Sequence, residues 1–166
     1  MIESWFDKYA ETIYNYILFM VKNHQVAEDL TQETFIKAHI KSHQFKGNSE
    51  LKTWLYRIAY TTTMNYFRKQ HPIPTLFDSS IKVKSAEQSF LEQKDLEELY
   101  QAISRLKLSY RQVIILRKVQ ELSVKETAIV LNWSESKVKM TLSRAIKMLQ
   151  VVLNEQGGVN NEEFTR

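Results

Sequence analysis

The stretch LSVKETAIVLNWSESKVKMTLSRAIKML, residues 122–149, predicts two short helices joined by a tight turn. Ser123 and Glu126 have the spacing of a capping box, in which the two side chains satisfy each other's backbone N–H groups at a helix N-terminus. Asn132 falls where the chain must reverse, and asparagine tolerates the left-handed conformation that such a turn needs. Ser134 is placed to cap the second helix. The stretch therefore predicts a helix-turn-helix unit.

The second of these helices has one apolar and one basic face. At 100° per residue, Val138, Leu142, Ala145 and Leu149 share the apolar face. A lone basic amphipathic helix is usually an ordinary solvated surface, but two capped helices with this separation of faces suit the DNA major groove. The residues expected to face duplex DNA are Ser134, Ser136, Lys137, Lys139, Met140, Ser143, Arg144 and Lys147.

Composition limits the class of protein. The chain has 166 residues, 43% of them hydrophobic, with three glycines and two prolines, which suits one large or two small helical domains. The absence of cysteine excludes disulfides, thiolate zinc sites and cysteine nucleophiles, and fits a reducing cytosol. We expect no signal peptide, and the longest apolar run, residues 17–21, is far too short to span a bilayer. Residues 95–153 carry ten basic and six acidic side chains, so the positive excess lies where a DNA partner requires it, although an excess of this size also fits ordinary surface charge.

Helical periodicity divides the chain into two parts. Both prolines, Pro72 and Pro74, follow the last periodic stretch of the first part and predict a helix stop. Residues 71–94 then lose periodicity, which predicts a flexible linker, within which helix can return near Glu87. We expect an all-α protein with helical domains over 1–70 and 95–153 and a disordered tail over 154–166. The periodic stretches of the first domain are 4–22, 26–41 and 51–70.

The second domain is predicted to begin with a helix at Asp95. Ser109 and Gln112 have the spacing of another capping box, which predicts a helix running to Val119. The helix-turn-helix unit follows.

The helix predicted over 26–41 separates its faces. Ala27, Leu30, Thr34 and Ala38 are expected to point inward. The outward face is acidic, and although most such faces are only solvated, a compact acidic patch suits a basic protein partner better than nucleic acid. The outward residues are Glu28, Asp29, Gln32, Glu33 and Ile36.

The helix predicted over 51–70 has an aromatic and basic face. Its core face takes Trp54, Leu55, Ile58, Ala59 and Thr62, and the opposite face is predicted to include Tyr56, with Phe67 at its edge. Aromatic rings between arginines can stack on unpaired bases and follow a phosphate backbone. Packing against a neighbouring helix is an equally good explanation for Tyr56 and Phe67. The remaining residues of the opposite face are Arg57, Tyr60, Thr61, Met64 and Arg68.

Enzymatic and metal sites are not supported. His39 and His43 lie four residues apart, but the sequence offers no third ligand, so we expect no metal and no cofactor. There is no glycine-rich phosphate loop and no nucleophile with a paired base.

Four segments together resemble the extracytoplasmic-function sigma factors, the smallest sigma subunits of bacterial RNA polymerase, over residues 4–153. Each motif alone is moderately specific for this family, whereas all of them in this order and spacing are strongly specific for it. The chain departs from common family choices at six positions, which bears on the promoter sequence more than on the role: Thr61, Asn65, Asn132, Lys137, Met140 and Thr141. The segments are AEDLTQETF (27–35), FKGNS (45–49), TWLYRIA (53–59) with Arg68, and residues 122–149.

The resemblance implies two helical domains called regions 2 and 4. Asp29, Gln32 and Glu33 match the surface that docks on the clamp helices of the polymerase β′ subunit, and region 4 is expected to meet the β flap. The helix over 52–70 matches the element that recognises and melts the −10 promoter element, and the helix-turn-helix matches the −35 reader. The 45–51 loop matches the one that captures a flipped base, although it could also be an ordinary polar connection. Its candidate contacts are Lys46, Asn48 and Ser49.

The resemblance also sets the expected partners. They are core RNA polymerase, promoter DNA and an anti-sigma factor, which in this family is often membrane-bound; the chain itself is expected to be monomeric, cytoplasmic and without catalytic activity. Two other classes stay open at this point. One is a free-standing helix-turn-helix regulator that dimerises on duplex DNA, and the other is an adaptor or RNA-binding helical protein. The acidic patch and the aromatic-basic face within one chain favour the sigma subunit.

Overall fold

The structure is a computed structural model and describes residues 2–47, 50–70 and 90–157. The described residues form seven α-helices with no strand among them. Two short helical turns of other types lie between α-helices: a 3₁₀ turn at Ser42–Gln44 and a π-helical turn at Ile115–Val119. The α-helices are α1 Ile2–Val21, α2 His24–Ile40, α3 Leu51–Lys69, α4 Phe90–Ser104, α5 Leu108–Ile114, α6 Val124–Leu131 and α7 Glu135–Gly157.

Helices α1, α2 and α3 form the first unit, and each contacts the other two. Asn23 starts α2, because its side chain accepts a hydrogen bond from the N–H of Val26 at 3.0 Å. Tyr16 of α1 and Tyr56 of α3 are fully buried, with ring centroids 5.2 Å apart in an edge-to-face arrangement. This aromatic pair fixes α3 against α1 at the centre of the unit.

Helices α4 to α7 form the second unit, in which α7 packs on α4, α5 and α6. The capping box at α6 is confirmed: the Ser123 hydroxyl accepts from the N–H of Glu126, and the Glu126 carboxylate accepts from the N–H of Ser123, both at 3.0 Å. Asn132 ends α6 in the left-handed conformation, with φ of 56°. Ser134 then accepts from the N–H of Lys137 at 3.1 Å. The predicted helix-turn-helix is therefore present with its predicted caps.

Three local predictions need correction. The capping box expected at Ser109 is absent: α5 begins at Leu108 with Lys107 as N-cap, and the Gln112 amide donates to the Met20 sulfur instead of turning back to Ser109. Helix α4 begins at Phe90, between the possible return of helix near Glu87 and the start expected at Asp95. The stretch to Val119 ends as a π-helical turn rather than a continued α-helix.

The second unit is also longer than predicted at its end. Helix α7 continues to Gly157, so it includes the first residues of the segment expected to be a disordered tail, 154–166. The rest of that tail and nearly all of the predicted linker, 71–89, lie outside the described residues.

The two units pack against each other rather than standing apart. Helix α3 contacts α6, and α1 contacts α5 and the π-helical turn. The rings of Phe19 and Tyr100, one from each unit, lie 5.1 Å apart. The buried core is therefore continuous from α1 to α5.

Candidate nucleic-acid and protein interfaces

Helix α2 presents the acidic face that its periodicity predicts. All five outward residues are exposed, and Ile36 keeps 60% of its surface in solvent. The inward residues are buried as predicted, and the Thr34 hydroxyl donates to the carbonyl of Leu30 at 2.7 Å. Glu33 forms an ion pair with Lys37 at 2.7 Å, which partly balances the charge of the face. The exposed residues are Glu28, Asp29, Gln32, Glu33 and Ile36.

An apolar groove adjoins this acidic face, and sequence reasoning missed its second wall. Phe6 of α1 is 46% exposed and packs edge-on against Phe35 of α2, with ring centroids 5.1 Å apart. The groove has a volume of about 560 Å³, and two carboxylates of α1 stand at its rim. Phe6 lies beside the buried apolar stripe of α1 and not within it. That position in the sequence could have indicated an apolar side chain left exposed on the surface of the helix. The lining residues are Glu3, Phe6, Asp7, Gln32, Phe35, Ile36 and His39.

The loop between α2 and α3 rises from an aromatic cluster. The ring of Phe45 lies 5.3 Å from Trp54 and 6.1 Å from Trp5. Gly47 has φ of 73°, a left-handed conformation that favours glycine, and a Cβ built there would meet no atom within 4 Å. Lys46 is exposed. The base of the loop is thus anchored while Gly47 stays open to solvent; the other two candidate contacts, Asn48 and Ser49, lie outside the described residues.

Helix α3 differs from its predicted pattern at Tyr56. The sequence placed Tyr56 on the aromatic-basic face, but it is fully buried, because α1 places Tyr16 against it. Burial raises the pKa of both tyrosine hydroxyls, which therefore stay neutral. Phe67 is half-buried, with its ring 5.7 Å from that of Tyr66, which fits packing. Tyr56 belongs to the core and not to a nucleic-acid surface.

The remaining residues of this face are only partly open. Arg57 lies 5.6 Å from the ring centroid of Tyr60, and its guanidinium donates to the carbonyl of Val130 in α6 at 2.8 Å. The Thr61 hydroxyl donates back into its own helix, to the carbonyl of Ile58 at 3.0 Å. Arg68 is exposed, whereas Tyr60, Thr61 and Met64 are half-buried. In this structure the second unit therefore occupies part of the predicted single-strand surface.

Helix α7 presents its basic face to solvent. Val138 and Ala145 are completely buried and hold the helix on the second unit. The ammonium group of Lys137 lies 4.3 Å from the ring centroid of Trp133, which places this charge at the start of the helix. The eight candidate contacts are all exposed: Ser134, Ser136, Lys137, Lys139, Met140, Ser143, Arg144 and Lys147.

Two kinds of feature were sought in the part of the chain that the structure describes: metal-binding clusters and membrane-spanning helices. Across residues 2–47, 50–70 and 90–157, no three His, Cys, Asp or Glu side chains gather in a way that could hold a metal ion. Within the same ranges, none of the helices is both long and apolar enough to cross a membrane.

Each of the two units matches a known protein family. A model of sigma-70 region 2 matches residues 5–72, and a model of sigma-70 region 4 matches residues 96–149. The SigX factor of Bacillus subtilis, an extracytoplasmic-function sigma factor of RNA polymerase, is 36% identical over 154 residues, which cover 87% of this chain and 79% of that protein. SigM of the same organism, also of this type, is 34% identical over 164 residues, which cover 97% of this chain and 99% of that protein.

A solved structure agrees with these matches. The sigma factor RpoE of Bartonella quintana, in complex with the anti-sigma factor NepR, superposes with a TM-score of 0.75 at 26% identity. The superposition covers 92% of this chain and 96% of the other. With two relatives above 30% identity that match over most of their length, the chain belongs to the extracytoplasmic-function family of RNA polymerase sigma factors.

Proposed function

We propose that α2 binds the β′ clamp helices of core polymerase, that α3 and the 45–51 loop hold the −10 element, and that α7 reads the −35 element. In this scheme residues 1–70 act as region 2 and residues 95–153 as region 4, with the second unit also meeting the β flap. The observation that carries the proposal is the separation of charge: one exposed acidic face on α2 and one exposed basic face on α7. The chain brings the polymerase to promoters and performs no chemistry of its own.

The groove beside α2 strengthens the polymerase assignment. An exposed apolar groove with carboxylates at its rim suits a basic, amphipathic helix pair, because apolar anchors supply affinity and complementary charge supplies orientation. Ile36 and Phe6 stand on opposite walls of the groove and provide the anchors. A free-standing dimeric regulator would have no use for this surface, and the family matches do not favour that alternative.

Charge reversal on α2 tests the polymerase contact. Asp29→Arg and Glu33→Arg should each weaken binding to purified core polymerase, because like charges placed together in an interface cost several kcal/mol. Both side chains are exposed, so helical content should not change. Glu11→Arg on α1, also an exposed acidic residue of a helix and not part of the groove lining, is the matched control. Binding equal to that of the parent chain for both α2 variants would overturn the assignment.

The regulatory partner and the location follow from the same scheme. The RpoE structure contains an anti-sigma factor, and we propose that this chain is likewise held by one. Because bacterial RNA polymerase works on DNA in the cytoplasm, we place the chain there. Co-purification of the tagged chain from its host, followed by identification of the bound proteins, tests the partner, and fractionation of the host cells tests the location.

A further inference from the structure

Met140 lies at the centre of the exposed face of α7. At about 100° per residue, its side chain points about 160° away from Val138 and about 140° away from Ala145, both of which are completely buried. Met140 itself keeps 55% of its surface in solvent. Arg144 follows one turn later on the same face, and Lys147 follows two turns later. An apolar side chain therefore stands in the middle of a polar and basic face.

Two polar side chains near the start of α7 already have partners within the protein. The Ser134 hydroxyl accepts from the N–H of Lys137 at 3.1 Å, and the ammonium group of Lys137 lies 4.3 Å from the ring centroid of Trp133. Because Trp133 precedes the helix, this charge is held at the N-terminal edge of the face, a position that suits a phosphate. The long side chains closest to the midline in the next two turns are Met140 and Arg144.

The position of Met140 indicates which base it can contact. A single exposed methionine is ordinary on a protein surface. A recognition helix, however, turns its N-terminal residues to the base edges of the major groove, and Met140 is only the sixth residue of α7. Its thioether donates no hydrogen bond and accepts weakly, so it is poorly suited to a polar base edge. Among the four bases only thymine presents an apolar group in that groove, its C5-methyl group.

Resting on the proposed function of α7, we propose that Met140 reads a thymine of the −35 element by packing against its C5-methyl group. Met140 and Arg144 are separated by four residues, or about 6 Å along the helix axis. Successive base pairs of duplex DNA are about 3.4 Å apart. The thymine therefore lies within about two base pairs of the base pair that Arg144 contacts.

This contact adds base preference without adding charge. Methionine is unbranched, flexible and polarisable, so its side chain can adapt to the shape of a methyl group. Because the contact neutralises no phosphate, it releases no counterion and leaves the salt dependence of binding unchanged. Met140 is in this respect unlike Lys147, whose ammonium group is suited to a phosphate.

Deoxyuridine in place of single thymines tests the contact, because it removes the C5-methyl group and keeps every hydrogen-bonding group of the base. Holoenzyme with the parent chain first selects a −35 element from a promoter library. Each thymine of that element, on either strand, is then replaced in turn, and binding is measured at several salt concentrations. The parent should lose about fourfold in affinity at one thymine, the value of one buried methyl group.

Variants of α7 assign that loss to a side chain. Met140→Ala should bind the selected element about fourfold more weakly. Deoxyuridine should cause it no further loss, because the same contact is already absent. Met140→Leu keeps an apolar side chain and should keep the dependence on the methyl group. Met148→Ala is the matched control and should behave as the parent, since Met148 is 45% exposed on the same helix but about 80° around it from Met140.

The results separate the methyl contact from the function of α7. The contact would be overturned if no thymine of the selected element shows methyl dependence in the parent, or if that dependence persists in Met140→Ala. A salt slope lowered by Met140→Ala would also overturn it, because an apolar contact neutralises no phosphate. In each of these cases Arg144→Ala and Lys147→Ala still report on α7 as the −35 reader. Unchanged −35 binding for all three alanine variants would instead count against the function assigned to α7.

Discussion

Lys147 and Arg144 of α7 should affect DNA binding in different ways. They are three residues apart, both exposed, and they share the face opposite the buried Ala145. If Lys147 neutralises one phosphate, Lys147→Ala should lower the salt dependence of binding by about 0.9 in the slope of log affinity against log salt. Between about 50 and about 200 mM salt, the affinity ratio of parent to variant should then shrink by roughly 3.5-fold.

Arg144→Ala should instead change base preference. An arginine that bonds a base edge in the major groove contributes about 1–3 kcal/mol, or roughly 5- to 150-fold in affinity, against the wrong base pair. Its loss should relax the preference at one position of the −35 element. Lys147→Ala, in contrast, should weaken all −35 sequences equally.

The assay is holoenzyme binding to a set of −35 single-base variants, measured by fluorescence anisotropy at several salt concentrations. Both side chains are exposed, so the free energy of unfolding should change by no more than about 0.5 kcal/mol. Lys8→Ala, an exposed lysine of α1, is the control and should match the parent in slope and preference. Equal slopes for all the proteins, together with an unchanged −35 preference for Arg144→Ala, would refute the assignment of this face to DNA.

Three further predictions follow from the local structure. Ser123→Ala should lower the free energy of unfolding by about 0.5–2 kcal/mol in urea titrations. The N–H of Ser123 also holds the pKa of the Glu126 carboxyl below its usual value. The contribution of that carboxylate to the free energy of unfolding should therefore be full at neutral pH and disappear as the pH falls through the lowered pKa. Tyr56→Ala should cost about 3–5 kcal/mol, since the ring is fully buried, whereas truncation of the half-buried Phe67 should cost clearly less. Exchange of residues 46–50 for the loop of another family member should change the −10 sequence selected from a promoter library, with core binding and −35 preference unchanged; an identical −10 consensus would count against the loop.

Features that depend on nearby residues were predictable from the sequence. The capping box at Ser123, the left-handed Asn132 and the cap at Ser134 each involve side chains and N–H groups within three residues. The two faces of α2 were also predictable, because this helix is buried on one side only and a single stripe of inward residues identifies that side. The exposed acidic face followed directly from the stripe.

Features that depend on tertiary partners were not predictable in this way. Helix α3 packs on α1 and α2 and also on α6, so it has more than one buried side and a single-stripe pattern misplaces Tyr56. The capping box at Ser109 failed because Gln112 is buried against Met20, ninety-two positions away. Arg57 carries a basic side chain that suits DNA, and nothing near it in sequence indicates that α6 receives it.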